Sequence, residues 1–159
     1  MLEQLSIPVS DLRRSLHFYQ QALQPLGYEH VKDMKFAVSF ALLSGDGLAA
    51  SSGVTFWLFQ GEVCRPAALH IAFSAPSKAA VDAFFSAALA AGGVENAISG
   101  KPVASHPGEY AAFVRDPDGY TVAVMCRPGM RGERRCCPMR FSWQGVDYPP
   151  PASPLVLVS

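Results

Sequence analysis

The side chains best equipped for chemistry in this chain of 159 residues lie in the late run His106-Pro107-Gly108-Glu109-Tyr110. Histidine titrates near neutrality, so His106 reads as a general acid or base, and the Tyr110 hydroxyl reads as a donor to a developing oxyanion. The plainer reading of the same pair is a loop histidine and a packed tyrosine. A second candidate is the aromatic run Phe56-Trp57-Leu58-Phe59. Strand periodicity turns Trp57 and Phe59 to one face and Phe56 and Leu58 to the other. Together with Phe36, Phe40 and Met125 they would wall an apolar cavity or fill an ordinary sheet core. The four cysteines, Cys64, Cys126, Cys136 and Cys137, form no CxxC pair. They read as free thiols in a reducing compartment, with a zinc or redox role for the adjacent Cys136 and Cys137 as the alternative.

Composition narrows the class of partner. Acidic and basic residues balance at 13 each, so the electrostatic attraction that drives nucleic-acid binding is missing. No stretch approaches the ~20 apolar residues of a membrane span, and the opening MLEQLSIPVSDLRR does not read as a secretory leader. A soluble, cytoplasmic protein without nucleic-acid or membrane partners is expected, with one core that a chain of this length can bury.

The elements that must hold these residues come in two similar sets. Leu2–Val9 reads as a strand running into Ser10 as a helix N-cap. Leu12, Leu16, Tyr19 and Leu23 then recur at helical spacing until Pro25 and Gly27 end the pattern. Strands are predicted over residues 36–43 and 54–60, so the first half is βαββ or βαβββ. In the second half, residues 69–74 form a strand and Pro76 and Ser77 open a helix faced by Val81, Phe84, Phe85, Ala88 and Leu89, which Gly92 and Gly93 end. Residues 109–115 and 120–126 flank Asp116-Pro117-Asp118-Gly119, a hairpin turn in which proline presets the bend and glycine accepts a positive φ. Laying residue n over n+66 aligns Phe18-Tyr19 with Phe84-Phe85, Ala22-Leu23 with Ala88-Leu89, and Gly27 with Gly93. From Pro128 the chain turns basic and then proline-rich. It reads as a loose extension, with Leu155–Val158 as an added edge strand or docking segment in the alternative.

The segments LSIPVSDLRRSLHFYQQALQPLGY, LHIAFSAPSKAAVDAFFSAALAAGG and HPGEYAAFVRDPDGY together resemble the vicinal oxygen chelate family of glyoxalases, bleomycin-resistance proteins and extradiol dioxygenases, over about residues 1–127. The resemblance implies an α+β fold of two βαβββ modules, residues 1–62 and 67–127, forming one cupped mixed sheet with helices outside, and it leaves residues 128–159 as a separate extension. It also implies a divalent metal held by the first and last strands of each module. Carried over residue by residue, those positions fall on Gln4, Trp57, His70 and Ala123. His70 matches the family, Gln4 offers an amide oxygen, and both anionic ligands are missing. The expectation is therefore a small-molecule pocket protein without a complete metal site or cofactor. It would bind an apolar or aromatic ligand through Gln4, Phe40, Trp57, His70, Ala123 and Met125, and would form a homodimer. The alternative is an enzyme, a lyase, isomerase or dioxygenase, working through His70, His106 and Tyr110. It would be metal-free or would carry iron, nickel or zinc on His70 and Gln4, completed by His106 or Glu109.

Overall fold

The computed structural model describes residues 3–42, 54–63, 69–96 and 109–127. Its first half runs β1 (Gln4–Val9), α1 (Leu12–Leu23), a 3-10 turn (Gln24–Leu26), β2 (Tyr28–Met34), β3 (Ala37–Leu42) and β4 (Thr55–Gln60). The second half runs β5 (His70–Ser74), α2 (Lys78–Ala90), β6 (Val94–Glu95), β7 (Tyr110–Arg115) and β8 (Thr121–Cys126). The strands make two four-stranded sheets, ordered β1-β4-β3-β2 and β5-β8-β7-β6. In each sheet the first and last strands of the module pair in parallel and the other neighbours are antiparallel. These are two βαβββ modules with a helix on one face of each sheet, the α+β class that the resemblance implies. His106 and the whole extension from Pro128 lie outside the described residues, as do Cys64, Cys136 and Cys137. No helix among the described residues is long and apolar enough to cross a membrane.

The offset of 66 holds where the modules share geometry. It relates Gln4 to His70 at the strand starts and Thr55 to Thr121 at the last strands, and the helix caps Asp11 and Ser77 obey it as well. Both caps accept a hydrogen bond from the amide three residues on, Arg14 N at 3.0 Å and Ala80 N at 3.2 Å, which satisfies an orphan donor of the first turn. The first helix thus starts one residue later than Ser10 predicts. Ser10 is occupied elsewhere, its amide and hydroxyl both bound by Asp118. Between these fixed points the offset drifts. The left-handed glycine that ends each helical segment is Gly27 in one module and Gly92 in the other, so Gly93 is not the partner of Gly27. Val38 and Ala112, which face Leu58 and Val124 on the last strands, are 74 apart.

Alternating strand residues bury against the helices. Ile7 and Val9, Val38 and Phe40, Phe56 and Leu58 do so in one module; Ile71 and Phe73, Ala112 and Val114, Val122 and Val124 do so in the other. All belong to one core shared by both modules, into which α1 contributes Phe18, Tyr19, Ala22 and Leu23 and α2 contributes Val81, Phe84 and Ala88. Phe73 joins the modules directly, edge-on to Phe56 at 5.5 Å and to Tyr28 at 5.4 Å.

Polar contacts across the same boundary come from the β7–β8 hairpin. Tyr19 donates its hydroxyl to Asp116 Oδ2 at 2.8 Å, and Asp116 Oδ1 accepts the amides of Asp118 and Tyr120 at 3.0 and 2.8 Å. Tyr120 in turn donates to the carbonyl of Pro8 at 2.9 Å. Asp118 accepts from Ser10, from Ser15 and from the Arg14 guanidinium, which approaches to 2.8 Å. The side chain of Gln60 completes the start of α1, accepting from Leu12 N and donating to the Ser10 carbonyl. Burial pushes the Asp116 carboxyl above the ordinary 3.8 despite its three donors, and burial followed by the charge of Asp116 pushes the Tyr19 hydroxyl well above 10.0.

Tyr19→Phe should leave a buried carboxylate oxygen without its donor and destabilise the fold by about 1–3 kcal/mol, read by denaturant unfolding. A raised carboxyl pKa in the fold means that the native state holds the proton more tightly than the unfolded chain. Stability from this group is therefore full below 3.8 and is lost as pH rises through the folded value. The stability of wild type relative to Asp116→Asn should fall over that window and level off above it; a pH-independent difference would show that Asp116 does not titrate as a buried group. Gly93→Ala should also destabilise, by roughly 1–3 kcal/mol in thermal unfolding, because the added Cβ would lie 2.8 Å from both the Ala88 carbonyl oxygen and the Phe18 ring.

Candidate functional site

Since strand side chains alternate, the residues that do not face the helices share a second, helix-free face on each sheet. In the first module its central row reads Ser6, Trp57, Ser39 and Lys32, set side by side on β1, β4, β3 and β2 by register. Below it lie Gln4 and Thr55, and above it Pro8, Phe59, Ala37 and Met34. Trp57 is half-buried. Gln4 Nε2 donates to Ser6 Oγ at 2.8 Å. Ser39 is fully buried, a short side chain between the taller Trp57 and Lys32, and its hydroxyl has no hydrogen-bond partner among the described residues.

Lys32 reaches this face because of an irregularity in β2. His30 lies opposite Phe40 on the helix side and Lys32 opposite Ser39 on the helix-free side, so Val31 is an extra residue that reverses the alternation. The bulge is closed by His30 Nε2, 3.0 Å from the Lys32 carbonyl oxygen, and its ring lies 5.8 Å from that of Phe40.

In the second module the equivalent row is apolar on β5, β8 and β7, while Asn96, just after β6, is buried and its Oδ1 has no hydrogen-bond partner among the described residues. Ala72 stands where the first module has Ser6, Ala123 where it has Trp57, and Phe113 where it has Ser39. His70 and Thr121 flank this row on one side and Ser74 and Met125 on the other. His70 and Met125 are half-buried and Ala123 is buried. At the far end of β7 and β8, Glu109 accepts from Arg127 Nε at 2.9 Å.

Register therefore places Gln4 and Trp57 together on one helix-free face, and His70, Ala123 and Met125 together on the other. Two expected site residues lie elsewhere. Phe40 is in phase with Phe56, not with Trp57, and packs into the core within 6.5 Å of Tyr19. Tyr110 is in phase with Ala112 and Val114 and opposite Cys126, on the helix side, where its hydroxyl donates to Asp82 Oδ1 of α2 at 2.7 Å. That bond is the main cause holding the Tyr110 hydroxyl above its ordinary value of 10.0. The expectation failed on parity. An antiparallel partner of Ala123 is Phe113, which makes the odd-numbered residues of β7 the ones that share its face. Sequence reasoning also missed Ser39 and Lys32. Ser39 is the one polar side chain in the run Ala37–Leu42, a signal available in advance; the bulge that re-aims Lys32 is not.

The donors that the described residues bring to the implied ligand positions are few for a divalent cation. Among the described residues no three His, Cys, Asp or Glu side chains gather, and the family's ligand positions supply only the amide of Gln4 and the imidazole of His70, two neutral donors on separate sheets. A hollow between the modules, lined by Leu5, Tyr28, Phe56, Ile71 and Phe73 among others, has a volume of about 10 Å³ and is too small for a ligand. Tyr110→Phe should leave small-molecule binding on either helix-free face unchanged; a clear loss of affinity in a ligand titration would return Tyr110 to the site.

Comparisons with known proteins agree with this fold. No curated protein sequence matches the chain. A glyoxalase/bleomycin resistance protein from Albidiferax ferrireducens T118 superposes with a TM-score of 0.65 at 26% identity, over 80% of this chain and 99% of that one. A glyoxalase-related enzyme from Fulvimarina pelagi gives 0.59 at 18%, over 80% and 88%. The lactoylglutathione lyase of Agrobacterium tumefaciens gives 0.55 at 22%, over 79% and 92%. The two last are similar in fold alone. The sequence model of the Glyoxalase/Bleomycin resistance protein/Dioxygenase superfamily matches residues 2–124, and the chain belongs to that superfamily.

Proposed function

We propose that this protein binds a small apolar or aromatic molecule on its helix-free sheet surface and does so without a complete metal site. The observation that carries the reading is the pair Trp57 and Ala123, which stand at equivalent places on the two last strands where the family's carboxylate ligands are expected. A tryptophan plate and an alanine hollow cannot neutralise a cation, but they offer apolar surface to a flat ligand. The fold itself does not decide between binding and catalysis, since the same modules carry different activities in relatives.

Magnitudes limit what the apolar surface does alone. A bicyclic aromatic burying roughly 200 Å² gains about 5 kcal/mol at ~25 cal/mol per Å². Before the cost of association is subtracted, that corresponds to an affinity of a few tenths of a millimolar. A biological ligand needs polar contacts as well. A homodimer would cover the exposed apolar side chains Met34, Phe36 and Phe59, which otherwise meet water at one end of the first sheet.

Two measurements test the reading. Protein purified without chelator or a histidine tag should carry well under one metal per chain, and iron(II), manganese, nickel and zinc should leave its melting temperature unchanged. One stoichiometric metal, lost in His70→Ala, would sink the metal-free assignment. In a Trp143→Phe background, which leaves Trp57 as the single tryptophan, naphthalene should shift the Trp57 indole resonance in a saturable way; no shift at the solubility limit would remove the aromatic ligand.

A further inference from the structure

The helix-free face of the first module holds a polar group that the apolar reading leaves unused. Ser39 Oγ is buried and has no hydrogen-bond partner among the described residues. A hydroxyl in that position costs free energy that an alanine would not. Its backbone is not at fault, since β3 pairs on both sides, with β2 and β4. What surrounds the hydroxyl is specific. Trp57 is its cross-strand neighbour on one side and Lys32 on the other. The bulge at Val31 is what turns the lysine to that face, and bulges recur beside binding sites where they re-aim one side chain. An aromatic plate, a free hydroxyl and an ammonium group thus follow one another across three adjacent strands. In the second module the corresponding row is Ala123 and Phe113, with no polar member on β8 or β7.

We propose that this row recognises a flat aromatic compound bearing an acceptor oxygen, an aryl ketone or aryl carboxylate. The ring lies against Trp57 and the oxygen accepts a hydrogen bond from Ser39 Oγ. This rests on the reading of the helix-free face as a ligand site and adds the class of ligand to it. An acceptor is specified because Ser39 has a proton to donate and Lys32 only donates. The charge of Lys32 favours the carboxylate, while Ser39 alone serves the ketone. Since the Ser39 hydroxyl is sealed in the free protein, the ligand reaches it by moving the half-buried Trp57 indole beside it, which makes Trp57 the reporter.

The test uses the full chain with Trp143→Phe and three matched probes, naphthalene, 2-acetonaphthone and 2-naphthoate, followed by the Trp57 indole resonance. Both oxygenated probes should bind about tenfold more tightly than naphthalene, the gain expected of one buried hydrogen bond. Ser39→Ala should abolish the preference for acetonaphthone and leave naphthalene affinity unchanged. Its melting temperature should be equal to or above wild type, since an unpartnered hydroxyl is removed, so the variant stays folded and the comparison stays valid. Lys32→Met should weaken naphthoate and spare acetonaphthone; a loss confined to naphthoate in both variants would assign the site to charge and overturn the role of Ser39. Equal binding of all three probes to wild type would overturn this inference and leave the apolar site standing. Binding of none would remove both.

Discussion

The Tyr19 hydroxyl meets the carboxylate of Asp116 at 2.8 Å inside the core, joining the helix of one module to the hairpin of the other. A buried carboxylate is tolerated only when its oxygens are occupied, and here both are, one by Tyr19 and the other by the amides of Asp118 and Tyr120. The consequence is geometric. With Asp116 fixed, Asp118 is held over the start of α1, where it binds Ser10, Arg14 and Ser15. The turn therefore sets where α1 begins. Through Gln60, which ties the same helix start to the end of β4, it also bears on the strand that carries Trp57. The tetrapeptide Asp116-Pro117-Asp118-Gly119 reads in the sequence as a hairpin and nothing more, because turn propensity is local and the side-chain partners of its carboxylates lie about a hundred residues away.

Much of the architecture was nevertheless legible. The 66-residue overlay is true at the strand starts, the helix caps and the last strands because those positions are fixed by the parallel pairing of first and last strand in each module. It fails for the inner strands, where β3 and β7 are offset by eight residues more, and the two modules recover their phase before β4 and β8. A longer connection before β7 in one module is matched by a longer one before β4 in the other. Connection length carries little energetic cost and little sequence signal, so nothing in the overlay announced it. The overlay is equally silent on Phe40 and Tyr110. By type an aromatic ring and a phenol suit a pocket, but what decides their face is parity against a partner strand.

β2 was the least readable element for a related reason. Its sequence, Tyr28-Glu29-His30-Val31-Lys32-Asp33-Met34, is polar at most positions, as suits the free edge of a sheet, and its alternation is broken by the bulge. Charged side chains at an exposed edge also discourage pairing with another chain. One of them, Lys32, acquires a second consequence from the bulge, because a single added residue exchanges the two faces for the part of the strand that follows.

The two modules show how little of a site a shared backbone determines. Parallel pairing, strand register and helix caps are equivalent between them, yet one helix-free face carries Ser6, Trp57, Ser39 and Lys32 and the other Ala72, Ala123 and Phe113. Positions at the centre of such a face carry no structural duty towards the core, since the helix-side residues alone supply the packing. The fold constrains their chemistry less, although a buried, unpartnered hydroxyl such as that of Ser39 still carries a cost, and the two halves differ there. A divalent cation needs several converging donors, whereas an amphipathic aromatic needs a polar group on one surface only. On the proposed reading the first module supplies that group, since Ser39 Oγ is buried there with no partner among the described residues.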